Sequence, residues 1–363
     1  MLPKASPTDL AAAGWSQFFT AQLDATDLDP LHPARVTAVH RSSLDVAVPC
    51  AAPPGALAPG LTHLTVPPLP PTDDPEDAAT VGDWLLLDAD GTTALRRLDR
   101  LSLFKRRAPG TELRVQLIAA NVDTAFLVST CTQDFNIARL ERYLVLVRDA
   151  GALPVVVLTK ADLAPDPDGV AARARAALRG VPVEAVTAPD PATVGVLAPW
   201  LGRGQTVALL GSSGVGKSTL ANTLGGLGIA TSGTRKGDGK GRHTTTTRQL
   251  HPLPGGAWLL DTPGMRELSL ADVAAGLEAV FDDIADLAQD CRFADCAHDG
   301  EPGCAVADAV AAGRLDPARL ARWRKLSAED AHNSRSLVER RRGAKVFGRM
   351  VREAKEMKRR DRF

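Results

Sequence analysis

Between residues 31 and 107 the apolar positions fall in short runs, ARVTAVH, LDVAV, LTHLTV, DWLLLDA and TALRRLD. Turn-rich stretches such as CAAPPGALAPG and PPLPPTDDPED divide them. Short strands at this spacing, with no long amphipathic pattern between them, predict a small β-barrel of OB type. Such a barrel binds RNA through a strand face and its loops; a purely structural barrel fits the same pattern.

The pattern changes near residue 112. LRVQLIAA and TAFLVST read as buried strands, and ARLERYLVLVRDAG as a helix with Leu140, Tyr143, Leu144 and Val147 on one face, stopping at Gly151. LPVVVLT, VPVEAVTA and TVALLG are further strands, with the helical VAARARAALRG among them. Strands alternating with helices predict a mostly parallel sheet covered on both faces. The last part holds a Cys/His cluster, the helical PARLARWRKL and an Arg/Lys-rich stretch without a strong apolar stripe. It is expected to pack on the middle of the chain. The fold class is therefore multidomain: a barrel over 1–108, a central α/β domain over 109–285, and a zinc-knuckle helical domain with a basic tail over 286–363.

At 363 residues the chain exceeds what one hydrophobic core usually serves, which agrees with that division. Its net charge of zero conceals an asymmetry: from Arg314 to Phe363 there are 17 Lys/Arg against 7 Asp/Glu. A concentrated basic end suits an anionic partner, since polyanions respond to local charge density; a solvated helix face is the alternative. The N-terminus has no basic start followed by a long apolar run, and no segment reaches the ~18–20 apolar residues that span a bilayer. Three of the five cysteines lie within fourteen residues, a pattern that fits a reducing compartment and a metal site rather than a disulfide framework. The expected location is the cytoplasm, with no membrane partner.

Candidate chemistry begins with Gly211, Ser212, Ser213, Gly214, Val215, Gly216, Lys217, Ser218 and Thr219, a P-loop between an apolar strand and a helix. Glycines let backbone N–H groups converge on phosphates, and the helix N-terminus adds a favourable field. Lys217 is expected to reach the β- and γ-phosphates, and the Ser218 hydroxyl to ligate Mg²⁺. Downstream, the strand WLLDTPGMREL ends in Asp261 and then Gly264, which predicts a second Mg²⁺-holding carboxylate and an amide sensing the γ-phosphate. Between them, TSGTRKGDGKGRHTTTTRQL has the glycines, charges and hydroxyls of a switch segment, with Thr245 or Thr246 favoured for the metal.

Base selection is expected from Thr159, Lys160 and Asp162, which lie before the P-loop in the chain. The Asp162 carboxylate suits guanine N1–H and the 2-amino group, which adenine lacks. VTAPD adds a further loop, with the Ala188 amide near guanine O6. Such loops need only meet at the strand ends, so their order along the chain is free. The position that often carries a water-orienting Gln is Met265, so slow intrinsic hydrolysis is expected. His243 is the nearest group able to orient water; a hinge or RNA contact is its other possible role. Cys291, Cys296, His298 and Cys304 supply three thiolates and an imidazole, enough to close a tetrahedral structural Zn²⁺ site.

This combination resembles the RsgA family of small-ribosomal-subunit-dependent GTPases over about residues 31–305. The likeness rests on the permuted motif order, GSSGVGKST, GRHTTT, DTPGMREL, IAANVDTAFLVST, VGDW and SLFKRR. It implies a circularly permuted GTPase that uses GTP/GDP, Mg²⁺ and one zinc ion on the same four ligands. It further implies binding to the immature 30S subunit and its 16S rRNA, with hydrolysis stimulated there and triggering release. A monomer is expected. A mainly non-catalytic rRNA-binding assembly factor, using GTP as a conformational clamp, is the second reading; an ATP-dependent enzyme sharing only the P-loop is a third.

Overall fold

The computed structural model describes residues 5–24, 31–51, 60–72, 74–107, 115–228, 248–261, 270 and 272–334. Its strands are β1 (His32–Val39), β2 (Leu44–Cys50), β3 (Gly60–Val66), β4 (Trp84–Leu87), β5 (Ala94–Arg97), β6 (Leu103–Arg107) and β7 (Val115–Ala120). There follow β8 (Thr124–Thr130), β9 (Leu153–Thr159), β10 (Val183–Ala185), β11 (Thr206–Leu210), β12 (Gln249–Pro252) and β13 (Trp258–Asp261).

The N-terminal β-rich region is an antiparallel run, β3-β2-β1-β4-β5, in which β1 pairs with both β2 and β4. Alternation puts Ala34 and Val36 of β1, Val46 and Val48 of β2, Val66 of β3, Leu85 and Leu87 of β4 and Ala94 of β5 into one buried cluster. The strands therefore curl around a core of their own, as the short alternating runs predict. β6 and β7 form a separate antiparallel ribbon. The run LRVQLIAA is thus buried as expected, but it pairs with the strand before it rather than joining the parallel sheet.

The central sheet runs β10-β9-β8-β11-β13-β12, with neighbours parallel except for antiparallel β12. Both faces are covered, because β-branched and leucine residues occupy successive positions of β8, β9 and β11. The helix Ile137–Asp149 is capped by Asn136, whose side chain accepts from the Arg139 amide at 3.0 Å. It buries Leu140, Tyr143, Leu144 and Val147. Two short segments absent from the sequence pattern, Pro191–Val194 and the 3-10 turn Gly195–Trp200, close the other face.

A bridge between Ala38 of β1 and Gln249 of β12 joins the N-terminal strands to this sheet. Opposite the nucleotide loops, Arg35 is buried between Trp84 and Trp258, its guanidinium 5.7 and 5.3 Å from their ring centres. Burial lowers its pKa to about 10, with Asp123 and Asp83 opposing, so it stays protonated at neutral pH. Of the family-like motifs, VGDW serves this junction: Asp83 takes a bidentate grip from Arg100 at 2.7 and 2.8 Å, and Trp84 lies against Arg35.

The C-terminal helix Pro317–Ser334 buries Leu320 and Leu326 in the main core, with Trp323 beside them, and adds ion pairs to the helix Ile137–Asp149. Arg319 bonds Asp283 at 2.8 and 2.9 Å, and buried Glu141 accepts from Arg322 at 2.5 Å and Arg319 at 3.4 Å. Arg142 adds an ion pair to Glu329. Burial raises the Glu141 pKa despite both guanidiniums, whereas at Asp283 the bonds from Arg319 outweigh burial and hold it low. Among the described residues, no helix is long and apolar enough to cross a membrane.

Candidate nucleotide site and metal centre

Every described nucleotide candidate sits at the same edge of the sheet, beyond the C-terminal ends of parallel strands. Thr159, Lys160 and Asp162 follow β9, Ala188 follows β10, the loop 211–219 follows β11, and Asp261 ends β13. His243, Thr245, Thr246, Gly264 and Met265 lie outside the described residues.

The loop after β11 has little room for side chains. A Cβ on Gly211 would stand 2.3 Å from the Val128 carbonyl oxygen of β8, so only glycine passes there. Gly216 adopts φ 94°, the left-handed region, and opens the helix Lys217–Gly225, which aims its first amides at the loop. Lys217 Nζ donates to the Gly211 carbonyl at 2.7 Å and to that of Ser212, placing the ammonium over the loop. Val215 is buried as the loop's apolar foot, while Ser213 and Gly214 are exposed. This crest of backbone donors and one cation fits a polyphosphate.

Thr159 has a use the sequence did not disclose. Its buried Oγ1 lies 2.9 Å from the Ser129 carbonyl and 2.6 Å from the Val215 carbonyl, lashing the end of β9 to the P-loop. Lys160 then takes φ 58°, ψ 37°, a left-handed conformation costly for a long side chain, and the 3-10 turn Ala161–Leu163 leaves Asp162 exposed. The third loop is braced in the same manner. Thr223, on the helix after the P-loop, donates to the Ala188 carbonyl at 2.7 Å, and Thr193 Oγ1 accepts from the Thr187 amide at 3.0 Å. Loops from 159, 188 and 211, far apart in sequence, are one hydrogen-bonded assembly. Thr223 and Thr193 escaped sequence reading because a threonine in a helix or loop carries no motif.

The metal candidates converge. Cys291, Cys296, His298 and Cys304 present their ligand atoms within 4.8 Å of one another. His298 Nδ1 lies 3.5 Å from the sulfurs of both Cys291 and Cys304, and those sulfurs are 4.0 Å apart. Sulfurs ~2.3 Å from a tetrahedral zinc stand about 3.8 Å from each other, so the cluster has the size that Zn²⁺ requires. The Ala307 amide donates to Cys304 Sγ at 3.4 Å, at the start of the helix Ala305–Ala311. Trp323 of the C-terminal helix lies 5.3 Å from the His298 ring, and Arg324 bonds the His298 carbonyl and Asp299, seating the knuckle on that helix.

A parallel sheet with a P-loop on one strand end and bracing base-side loops on its neighbours defines a P-loop nucleotide-binding protein whose motifs run in a permuted order. Comparison with known proteins narrows this class. The family model described as RsgA GTPase matches residues 97–271. "Small ribosomal subunit biogenesis GTPase RsgA" of Mesorhizobium japonicum is 48% identical over 334 residues, covering 91% of this chain and 92% of that protein. "Small ribosomal subunit biogenesis GTPase RsgA 2" of Vibrio vulnificus is 44% identical over 352 residues, 97% and 96% of the two chains. The chain belongs to the RsgA family. Its fold is similar to that of YloQ, described as a circularly permuted GTPase, with TM-score 0.59 at 23% identity over 85% of this chain and 98% of that one. It is also similar to YjeQ from Thermotoga maritima, with TM-score 0.58 at 23% identity over 82% and 97%.

Proposed function

We propose that this chain binds the immature small (30S) ribosomal subunit through 16S rRNA and hydrolyses GTP there, the hydrolysis releasing it from the matured particle. Membership of the RsgA family and the relatives' names support the substrate and the process. The observation that carries the nucleotide assignment is the Thr159–Val215 bond of 2.6 Å, which makes the base-side loop and the phosphate loop parts of one site.

In this reading Asp162 accepts guanine N1–H and the 2-amino group, Lys160 flanks the base and the Ala188 amide faces O6. The amides of 211–219 and the Lys217 ammonium hold the phosphates. Ser218 and Asp261, with Thr245 or Thr246, hold Mg²⁺, which supplies charge neutralisation at the β- and γ-phosphates. Gly264 senses the γ-phosphate. His243 orients the attacking water, since Met265 has no group that does so, and turnover is slow until the subunit reorders the switch segment. Cys291, Cys296, His298 and Cys304 hold one structural zinc ion.

The work divides among a β-barrel at 1–108 that touches RNA, the GTPase domain at 109–285, and a zinc-binding domain at 286–363 whose basic tail contacts phosphates. The protein acts as a cytoplasmic monomer. GTP turnover measured with and without purified small subunits tests this function. Acceleration by the subunit, abolished by Lys217→Ala, is expected. Unchanged turnover, with maturation supported equally by Lys217→Ala, would favour the non-catalytic clamp.

A further inference from the structure

Arg35 is an unusual way to fill a core. The residue is 2% exposed in side-chain surroundings that include two indole faces, yet among the described residues no carboxylate forms an ion pair with it. Instead it donates to neutral acceptors from three separate parts of the chain. Nη1 bonds the Ala13 carbonyl at 3.1 Å, just after the first helix, Pro7–Ala12. Nη2 bonds the Asn121 carbonyl at 3.2 Å, between β7 and β8, and Thr206 Oγ1 at 2.6 Å, the first residue of β11. Trp258, on its other side, is the first residue of β13 and pairs with Thr206. Asp123, just before β8, accepts from the Thr206 amide at 2.7 Å.

One side chain of the N-terminal strands thus holds the starting points of the strands that end in the P-loop and in Asp261. A buried cation held by neutral acceptors through its two Nη atoms, with Nε left without a partner among the described residues, is an expensive core residue, and its planar fork fixes directions that an aliphatic chain leaves free. The same strand makes a second connection. Three residues along β1 from Arg35, Ala38 pairs with Gln249, the first residue of β12. Arg248, immediately before it, donates to the Leu117 carbonyl of β7 at 2.5 Å. β1 therefore touches the nucleotide sheet at both ends, with Arg35 as the deeper and more directional contact.

We propose that Arg35 is a positioning residue for subunit-stimulated GTP hydrolysis: it makes β1 a rigid lever through which engagement of the N-terminal strands is passed to β11, β13 and β12. The inference rests on the stimulation proposed above. It assigns Arg35 no contact with nucleotide. Free of the subunit, the nucleotide loops are braced by Thr159 and Thr223, which do not depend on Arg35, so basal turnover does not need the lever. When a partner loads the barrel, the load reaches the sheet only as far as β1 is locked to it.

The test uses the full chain carrying Arg35→Met, which fills the space between the two indoles but donates no bonds, and Thr206→Val, which removes one acceptor without changing shape. GDP affinity, basal turnover, co-sedimentation with small subunits and stimulated turnover are measured for each. Arg35→Met is expected to keep GDP affinity, basal turnover and subunit binding near wild type. Its ratio of stimulated to basal turnover should fall about fivefold or more, the scale of an ordinary coupling between sites. Thr206→Val should lower the ratio by a smaller factor, and backbone amides of 249–252 should exchange faster in both. A ratio equal to wild type in Arg35→Met overturns the inference, as does an equal fall of basal and stimulated rates, which would mark Arg35 as structural support only. Should Arg35→Met not fold, an unchanged ratio in Thr206→Val is the overturning result. A wild type without stimulation removes the proposed function and this inference together, whereas a stimulated wild type matched by its variants removes only the inference.

Discussion

The two ends of the central sheet are built on opposite principles. At the C-terminal ends of β8–β11 and β13 the chain is glycine-rich, part of it exposed, and shaped by backbone: the loop 211–219, the left-handed Lys160 and the exposed Asp162. At the N-terminal ends of β8, β11 and β13 a joint is shaped by mostly buried side chains, with Arg35, Trp84, Asn121, half-buried Asp123, Thr206 and Trp258 in contact. A site that receives a ligand keeps its polar groups available. A joint that holds three parts of the chain together turns its polar groups inward, at the cost of leaving Arg35 Nε and the indole nitrogens of Trp84 and Trp258 buried without a partner among the described residues. Motif order is immaterial at the nucleotide end because loops meet there by strand adjacency, which the parallel ladders from β10 to β13 fix.

Breaking the nucleotide end should give the largest effect. Lys217→Ala removes a cation from the phosphate loop, and hydrogen bonds to charged groups contribute about 1.5–3 kcal/mol each. Affinity for GTP, read by fluorescent-nucleotide titration, should drop by about 10- to 100-fold while the melting temperature is nearly unchanged, because the side chain bonds only loop carbonyls among its described partners. The metal centre comes next. Cys304→Ser should take zinc from about one ion per chain to near none by elemental analysis. It should also unfold the knuckle, which rests on Trp323 and Arg324, before the sheet melts.

Thr159→Val sharpens the comparison by targeting a brace rather than a ligand-facing group. It leaves the buried Ser129 and Val215 carbonyls without their donor, at a cost of about 1–3 kcal/mol. Stability by denaturant titration should fall by that amount, and GDP affinity should fall with it, since the P-loop and base loop lose their tie. A smaller effect is expected from pH. Asp283 has a lowered pKa, so its pairing with Arg319 stabilises the fold above the ordinary carboxylate pKa and is lost as pH falls through the lower folded value. As pH falls below the ordinary carboxylate range the wild type should therefore lose more melting temperature than Arg319→Met, which keeps only the longer, exposed Arg179–Asp283 pair at 3.7 Å.

Much of the nucleotide end was legible in the sequence because its chemistry depends on residue types at fixed spacing. GSSGVGKST, LTKADL and the four zinc candidates are local patterns, and the structure brings their described members together. The alternating runs of residues 31–107 likewise announced β1–β5. The joint at the other end was not legible. In β1, Arg35 lies between Ala34 and Val36, and simple alternation puts it on the solvent side of a barrel strand; it is buried because a second layer covers that face. Likewise nothing local distinguishes Glu141 from an exposed helical glutamate until the C-terminal helix brings Arg319 and Arg322 to it. Pairing of β7 with β6 escaped for a related reason, since a buried apolar run reads alike in parallel and antiparallel ribbons.

LTKADL, VTAPD and GSSGVGKST forming a single guanine site, in an order that puts the base loop first, is the central claim, and nucleotide preference measures it. Wild type should bind GDP far more tightly than ADP or xanthosine diphosphate. Asp162→Asn should reverse the second preference, weakening GDP and strengthening xanthosine diphosphate, because the amide now offers a donor where the carboxylate accepted. Binding of all three nucleotides that is unchanged by Asp162→Asn would contradict the account.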